Sequence, residues 1–211
     1  MKKAILFDLD GTLWDSSAEV ARSWSEVLRA CPETDRQITQ ADMHGFMGKT
    51  LDEIGEIAFP EIPEKRRNEI LQACVKHETE YLREHGARLM GDIRGIFTPL
   101  KQKYALCIIS NCQDGYIQCF LDYFGLWDIF DDIECPGRTG MDKGDNIRLV
   151  IQRQGIDRAL YLGDTLGDLK AADKAGVPFV FAEYGFGSTD RPTASISSLN
   201  ELSAAAERIL G

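Results

Sequence analysis

A short apolar run that ends in two acids is the strongest constraint on the fold of this chain. Ala4-Ile5-Leu6-Phe7 is followed at once by Asp8-Leu9-Asp10-Gly11-Thr12. Consecutive apolar residues are typical of a parallel strand buried on both faces, and the change to acids and glycine predicts that the strand ends there. The carboxyl ends of such strands carry the chemistry of open α/β sheets. A solvated acidic turn is the alternative, but it needs only one capping acid. We therefore expect Asp8 and Asp10 to be functional.

The second half of the chain alternates between strand patterns and amphipathic helix patterns. The predicted strands cover residues 105–109, 130–133, 159–162 and 179–182. Helix patterns separate them, and a further helix pattern ends the chain. Repeated βα units predict an α/β fold with a doubly wound parallel sheet that has helices on both faces. Pro99 interrupts the helix pattern at 93–103 and is expected to kink or shorten that helix.

The stretch between the first strand and residue 105 is far too long for an ordinary crossover. It contains three helix patterns. Ser16-Ser17-Ala18-Glu19 and Thr50-Leu51-Asp52-Glu53 are capping boxes, and the third pattern follows Pro63 and stops at Gly86. We therefore predict two domains, an α/β core of residues 1–14 and 87–211 and an all-helical insert of residues 15–86.

Composition and charge exclude several classes of partner. The chain has 211 residues with an ordinary globular composition and a net charge of −10. An acidic protein is a poor ligand for nucleic acid or an anionic membrane, so an anionic substrate would need local positive charge. No apolar stretch approaches the length of a membrane span, and Met1-Lys2-Lys3 leads directly into a strand. The six cysteines include no CxxC pair, which favours reduced thiols. We expect a soluble cytoplasmic protein.

A second pair of acids follows another predicted strand. Gly163-Asp164-Thr165-Leu166-Gly167-Asp168 comes directly after the strand at 159–162. In a parallel sheet this end lies at the same edge as Asp8, and four carboxylates there would repel one another unless a cation held them. Acidic oxygen ligands favour a hard divalent ion such as Mg²⁺. The alternative is that Asp164 only caps a helix and that Asp168 lies on the surface.

Two further polar signals lie at element boundaries. Ser110-Asn111 follows the strand at 105–109, where the N-terminus of the next helix would offer N–H groups to an oxyanion, although Ser-Asn is also an ordinary helix cap. Lys143 stands at the start of a helix pattern, where the helix dipole prefers an acid. This position suggests a negatively charged partner for the lysine, and a solvated loop lysine is the alternative.

These segments, taken in chain order, resemble the four motifs of the haloacid dehalogenase superfamily. The motifs are Asp8-Leu9-Asp10-Gly11-Thr12-Leu13, Ser110-Asn111, Lys143 and Gly163-Asp164-Thr165-Leu166-Gly167-Asp168. The resemblance covers nearly the whole chain, because the helical insert is similar to the C1 cap of that superfamily. The layout looks like that of the phosphoglycolate phosphatase group. The resemblance implies a Mg²⁺-dependent phosphatase that acts on a small phosphorylated metabolite.

The resemblance also implies a role for each motif residue. Asp8 would be the nucleophile that forms an aspartyl-phosphate, and Asp10 would be the general acid and then the general base. Mg²⁺ would be bound by Asp8, the main-chain carbonyl of Asp10 and Asp164, while Asp168 would support that site or its waters.

The phosphoryl oxygens would be bound by Ser110, Asn111 and Lys143. Dehalogenases of the superfamily lack the second acid, so Asp10 favours phosphoryl chemistry. A phosphomutase similar to β-phosphoglucomutase remains the alternative, although the histidine expected in its cap is absent from residues 19–24. A third hypothesis is a non-catalytic protein, and the intact motifs argue against it.

The insert is expected to select the leaving group, which stays open among phosphoglycolate, a sugar phosphate, a nucleoside monophosphate and pyrophosphate. A closing cap would exclude bulky polymers and water. Lys49, in a loop predicted at 43–50, either contacts an anionic substrate or is simply solvated. His44 is expected to be structural. Trp14 is expected either to pack at the hinge or to line the entrance.

Overall fold

The computed structural model describes residues 1–46 and 49–211. Its strands are β1 (Lys3–Phe7), β2 (Trp14–Asp15), β3 (Arg88–Leu89), β4 (Ala105–Ile109), β5 (Asp132–Glu134), β6 (Arg158–Gly163), β7 (Phe179–Ala182) and β8 (Ala194–Ile196). Its α-helices are α1 (Ser17–Leu28), α2 (Gln40–Phe46), α3 (Leu51–Ala58), α4 (Glu64–His85), α5 (Ile93–Lys101), α6 (Tyr116–Phe124), α7 (Pro136–Thr139), α8 (Lys143–Gln154), α9 (Leu166–Ala175) and α10 (Leu202–Leu210).

Six strands form one parallel sheet in the order β5-β4-β1-β6-β7-β8. The central strand β1 pairs with β4 on one side and β6 on the other, so that Leu6 is in register with both Cys107 and Tyr161. The chain leaves β1 in one direction toward β4 and β5 and then returns to β6 on the other side. This arrangement creates a topological switch point beside β1, where ligands bind in open α/β sheets.

Apolar side chains cover both faces of the sheet. On one face, Leu6 belongs to a buried cluster with Ile147 of α8 and Leu169 of α9. On the other face, the Phe7 ring stacks on Phe97 of α5 with 4.9 Å between centroids. Helices on both faces explain why β1 is apolar at every buried position. The predicted doubly wound α/β fold is confirmed.

The chain divides into two compact units. The first contains Met1–Asp15 and Arg88–Gly211, and it includes the whole parallel sheet and the short antiparallel pair β2–β3. The second contains Ser16–Ala87, and its described residues form the helices α1 to α4 and their connecting loops, with no strand. Within this helical unit, Trp24 of α1 donates its Nε1 hydrogen bond to the buried Glu78 of α4.

The helix ends that the sequence predicted are confirmed only in part. Thr50 and Glu53 form the predicted capping box of α3, and Gly86 ends α4 as predicted. Ser16 precedes α1, but its side chain makes no capping bond because its backbone is already helical. Pro99 lies in the last turn of α5, which ends at Lys101 and is therefore shorter than the pattern at 93–103.

The predicted loop at 43–50 begins inside a helix. α2 covers Gln40–Phe46, while Met47 and Gly48 lie outside the described residues. Thr39 and Asp42 explain the earlier helix start, because the Asp42 carboxylate accepts from Thr39 N while Thr39 Oγ1 accepts from Asp42 N. This is a capping box with aspartate in place of the usual glutamate, so the standard motif does not detect it.

Candidate active site

The ends of three neighbouring strands bring the predicted site residues together. Asp8 follows β1, Ser110 follows β4 and Asp164 follows β6, and β1 lies between the other two. Asp8 N donates to Leu162 O at 2.9 Å, which extends the β1–β6 pairing to the first acid. All three side chains are buried. The strand-end argument therefore places these residues correctly.

Lys143 joins two of the acids. Its Nζ donates to Asp8 Oδ1 at 2.9 Å and to Asp168 Oδ1 at 2.7 Å, and the lysine is only 7 % exposed. Burial alone would lower the pKa of Lys143, but the charges of Asp168 and Asp8 outweigh it and raise the pKa well above its usual value. The alternative of a solvated loop lysine is wrong. The charges of Asp8 and Asp168 offset the unfavourable interaction between the lysine and the helix dipole at the start of α8.

Asp168 has two structural tasks. Its Oδ2 accepts from Thr165 N at 3.0 Å and from Thr165 Oγ1 at 2.6 Å, which completes a capping box at the start of α9. Its Oδ1 holds Lys143. The side chain is fully buried, so the surface position considered from sequence is wrong. The helix cap is Thr165, which leaves the Asp164 carboxylate directed to other partners.

The acids form a cluster that fits a divalent cation. Asp8, Asp164 and Asp168 each offer one carboxylate oxygen, and these oxygens lie within 4.8 Å of one another. Asp164 Oδ1 is buried and has no hydrogen-bond partner among the described residues. Burial, reinforced by the charges of Asp8 and Asp168, raises the pKa of Asp164 to about 8. Burial and Asp168 raise the pKa of Asp8 to about 6. A hard cation with oxygen ligands would relieve this repulsion.

Two glycines allow the chain to approach Asp164 closely. A Cβ on Gly11 would lie 2.2 Å from Asp164 Oδ2, and a Cβ on Gly185 would lie 2.2 Å from Asp164 Cβ. The loop after β7 also donates a main-chain hydrogen bond from Phe186 N to Asp164 Oδ2 at 2.8 Å. Sequence reasoning missed this loop. The glycines on both sides of Phe186, directly after a strand, were the available signal.

Asp10 lies beside an aromatic group that the sequence did not indicate. The Tyr116 hydroxyl donates to Asp10 Oδ1 at 3.0 Å, and Asp10 itself is half-buried. Trp14 packs edge-on against Tyr116 and Phe120, with centroid distances of 5.6 and 5.3 Å. Trp14 is fully buried, so it has the packing role rather than the entrance role.

Ser110 and Asn111 differ in their surroundings. Ser110 is buried and its side chain hydrogen-bonds to Asp8, whereas Asn111 is exposed. The expected helix N-terminus does not follow directly, because α6 begins only at Tyr116 and residues 110–115 form a loop. A glycine, Gly115, rather than Ser110 or Asn111, precedes the helix as its N-cap.

His44 and Lys49 lie in the helical unit. His44 Nε2 is 3.0 Å from Ser17 Oγ, which gives this histidine a structural contact, and Lys49 is exposed.

Within the described parts of the chain, no helix has both the length and the apolar character that crossing a membrane requires. All six cysteines are free thiols.

Comparison with known proteins agrees with this geometry. The model of a family described as haloacid dehalogenase-like hydrolase matches residues 5–182. A phosphoglycolate phosphatase of Mesorhizobium japonicum is 28% identical over 224 residues, covering 98% of this chain and 96% of the relative. A Dickeya dadantii protein named "Probable phosphatase IndB" is 26% identical over 230 residues, covering 100% of this chain and 96% of the relative.

A solved structure shares the fold. The crystal structure of a predicted phosphoglycolate phosphatase from Haemophilus somnus superposes with a TM-score of 0.85 at 20% identity, covering 97% of this chain and 98% of that chain. The family match includes the strand ends that carry Asp8, Ser110 and Asp164. The predicted family resemblance and the predicted hydrolase class are confirmed. This chain belongs to the haloacid dehalogenase-like hydrolase family.

Proposed function

We propose that this hydrolase is a Mg²⁺-dependent phosphatase that cleaves small phosphomonoesters through an aspartyl-phosphate on Asp8. The observation that carries the proposal is the contact of Lys143 Nζ with Asp8 Oδ1, at the end of the central strand and within a cluster of buried acids. A carboxylate held beside a buried ammonium group is suited to receive an anionic phosphoryl group. The relatives named as phosphatases support the same class.

Asp8 is the nucleophile in this proposal. A carboxylate oxygen of Asp8 bonds to phosphorus while the bond from phosphorus to the leaving oxygen breaks, which gives the aspartyl-phosphate and the free alcohol. Ser110 and Lys143 already hydrogen-bond the Asp8 carboxyl, so they lie where the phosphoryl oxygens arrive. Both groups then stabilise the charge that develops on those oxygens, and Asn111 adds an amide at the same strand end.

Asp10 moves the proton in both steps. Its carboxylic acid gives a proton to the leaving oxygen as the ester bond breaks, and the resulting carboxylate takes a proton from the attacking water. That water bonds to phosphorus while the bond from phosphorus to Asp8 breaks, which releases inorganic phosphate and restores Asp8. The partly exposed position of Asp10 supports this role, because water must reach it.

The acid cluster supplies the proposed Mg²⁺ ligands. Asp8, Asp164 and the main-chain carbonyl of Asp10 would hold the ion, and Asp168 would support the site through Lys143 and Thr165. Mg²⁺ would supply positive charge that reduces the repulsion between the anionic nucleophile and the anionic phosphoryl group. Asp164 Oδ1, which has no hydrogen-bond partner in the described part of the chain, is the ligand atom that most clearly lacks another function.

We further propose that residues 15–86 act as a cap domain that selects the leaving group. The helical unit is inserted between β1 and β4, directly after the segment that carries Asp8 and Asp10. Because the net charge is −10, a dianionic phosphate needs local positive charge, which the buried Lys143 can supply, and the same net charge argues against nucleic-acid substrates. Phosphoglycolate is the first substrate to test, because relatives carry that name.

The experiment is a panel of phosphometabolites assayed for phosphate release. The panel contains phosphoglycolate, sugar phosphates, nucleoside monophosphates and pyrophosphate, each with Mg²⁺ and with a chelator. Asp8→Asn is the test variant, and Asp190→Asn, at an exposed residue of the same unit, is the matched control. We expect release by wild type and Asp190→Asn with Mg²⁺, and a loss of at least about 10³-fold for Asp8→Asn.

Two outcomes would overturn the proposal. Phosphate release that survives both chelation and Asp8→Asn would exclude the mechanism. Interconversion of a sugar phosphate without net release would instead assign the chain as a phosphomutase.

A further inference from the structure

We propose that Tyr116 is a positioning residue for the proton transfers of Asp10, an inference that rests on the proposed phosphatase function. Its hydroxyl donates to Asp10 Oδ1 at 3.0 Å, and the residue is only 4 % exposed. The two residues are 106 positions apart in sequence, so the contact is made only by the fold.

The fold holds the Tyr116 ring in place from two directions. Tyr116 is the first residue of α6, so the start of that helix sets the position of its main chain. Trp14 packs edge-on against the ring at 5.6 Å, and Trp14 is itself fixed on Phe120, one helical turn after Tyr116. The tyrosine ring is therefore anchored by packing that does not need its hydroxyl.

The same turn carries both Asp10 and the residue that anchors Tyr116. Gly11 N donates to Trp14 O at 2.8 Å, and Asp10 forms an isolated bridge with Trp14. These main-chain contacts hold the two ends of the turn between β1 and β2 together. Asp10, Trp14 and Tyr116 thus form one connected group, and a shift of the ring is expected to move the carboxyl.

The hydrogen bond suits both protonation states of Asp10. When Asp10 is a carboxylate, Oδ1 accepts from Tyr116, and when Oδ2 carries the proton, Oδ1 is still an acceptor. The contact therefore persists while the proton passes from Oδ2 to the leaving oxygen and while a proton returns from water. A fixed Oδ1 restricts rotation of the carboxyl plane, so Oδ2 keeps one direction. Proton transfer depends strongly on such geometry.

The test uses two substrates that differ in their need for an acid. The first is the best alkyl phosphate from the panel, whose alkoxide must be protonated as it leaves. The second is 2,4-dinitrophenyl phosphate, whose phenolate leaves without a proton. The ratio kcat/KM reports the steps up to release of the leaving group, so the second substrate does not require Asp10 as an acid in that measurement.

Tyr116→Phe is the test variant, because it keeps the packed ring and removes only the hydroxyl. Tyr123→Phe is the matched control, since Tyr123 lies on the same helix and is 45 % exposed. We expect Tyr116→Phe to lower kcat/KM for the alkyl phosphate by about 10- to 100-fold and to change it by less than about two-fold for the dinitrophenyl ester. Tyr123→Phe should change neither.

A second measurement shows whether Tyr116 acts through Asp10. In an Asp10→Asn background, Tyr116→Phe should cause no further loss with the alkyl phosphate, because the amide in place of the carboxyl group cannot transfer a proton to the leaving oxygen. An equal fall with both substrates, no fall with either, or an undiminished loss in the Asp10→Asn background would overturn the inference. Wild type that releases phosphate from neither substrate would overturn the proposed function instead, so the two failures are distinguishable.

Discussion

Lys143 donates a hydrogen bond from its Nζ to Asp8 Oδ1 across 2.9 Å, and both side chains are only 8% exposed. The same ammonium group also lies 2.7 Å from Asp168 Oδ1. A single cation thus neutralises part of a buried cluster that would otherwise contain only acids. This relationship predicts that Lys143 matters both for stability and for catalysis.

Lys143→Met should therefore lower both the free energy of unfolding and kcat/KM. Removing one partner of a buried ion pair costs about 3–5 kcal/mol of unfolding free energy. Loss of a charge that stabilises the transferring phosphoryl group should lower kcat/KM by about 10²–10³-fold. Urea unfolding at neutral pH and the phosphate-release assay measure these two effects.

Lys174→Met is the control for that substitution. Lys174 also contacts two carboxylates, Asp142 and Asp145, but its side chain is 40% exposed. We expect a loss of no more than about 1 kcal/mol for these two exposed ion pairs, with kcat/KM unchanged. Equal losses for the two lysine variants would show that burial of Lys143 beside Asp8 has no special importance.

Metal binding should be visible as thermal stabilisation without any substrate. Saturating Mg²⁺ is expected to raise the Tm of wild type, since a ligand present at 100 times its Kd contributes about 2.7 kcal/mol. Asp164→Asn should remove most of this increase, because it neutralises the ligand whose Oδ1 has no partner among residues 1–46 and 49–211. In chelator, the variant should be at least as stable as wild type, because asparagine carries no charge, whereas burial near Asp8 and Asp168 makes the ionised form of Asp164 unfavourable.

Asp190→Asn should keep the full increase in Tm. The metal assignment would be contradicted if Asp164→Asn retained the same Mg²⁺-dependent increase as wild type. It would also be contradicted if Mg²⁺ left the Tm of wild type unchanged at concentrations that support phosphate release.

A buried hydrogen bond in the helical unit leads to a separate prediction about stability. Trp24→Phe removes the Nε1 donor to Glu78, and both residues are buried. Leaving a buried carboxylate without that partner is expected to cost about 1–3 kcal/mol. Trp127→Phe is the control, because Trp127 is 51% exposed and donates at 2.7 Å to Asp122. Its expected cost is below about 0.5 kcal/mol. Urea unfolding followed by circular dichroism compares them, and equal costs would refute the importance of the buried pair.

The parts of the fold that the sequence predicts are those with strong local patterns. The apolar runs of β1, β4, β6 and β7 identify the main strands of the sheet, and Gly86 marks the end of α4. β8 has only three residues, Ala194 to Ile196, and carries no comparable apolar run. β2 and β3 have two residues each and exist only because distant segments pair. Short elements that depend on a partner leave little local signal.

In the candidate site, too, the residues with a local sequence signal were predicted and those that depend on distant contacts were not. Asp8, Asp164 and Lys143 stand at strand ends or helix starts, so element boundaries mark them as candidates, although for Lys143 this signal left a solvated loop lysine open. Tyr116 contributes through a contact with Asp10 that is distant in sequence, which no local pattern reports. Phe186 contributes a main-chain N–H, which its residue type does not reveal.

The most direct test of the central claim is detection of a phosphoryl group on Asp8. Enzyme reacting with its best substrate is quenched in acid and treated with hydroxylamine, which converts an acyl phosphate into a hydroxamate that peptide mass spectrometry can locate. The account predicts a hydroxamate at Asp8 in wild type, more of it in Asp10→Asn when 2,4-dinitrophenyl phosphate forms the intermediate without an acid and attack by water is slowed, and none in Asp8→Asn or without substrate. Phosphate release with no hydroxamate, or with the modification at another residue, would contradict the account.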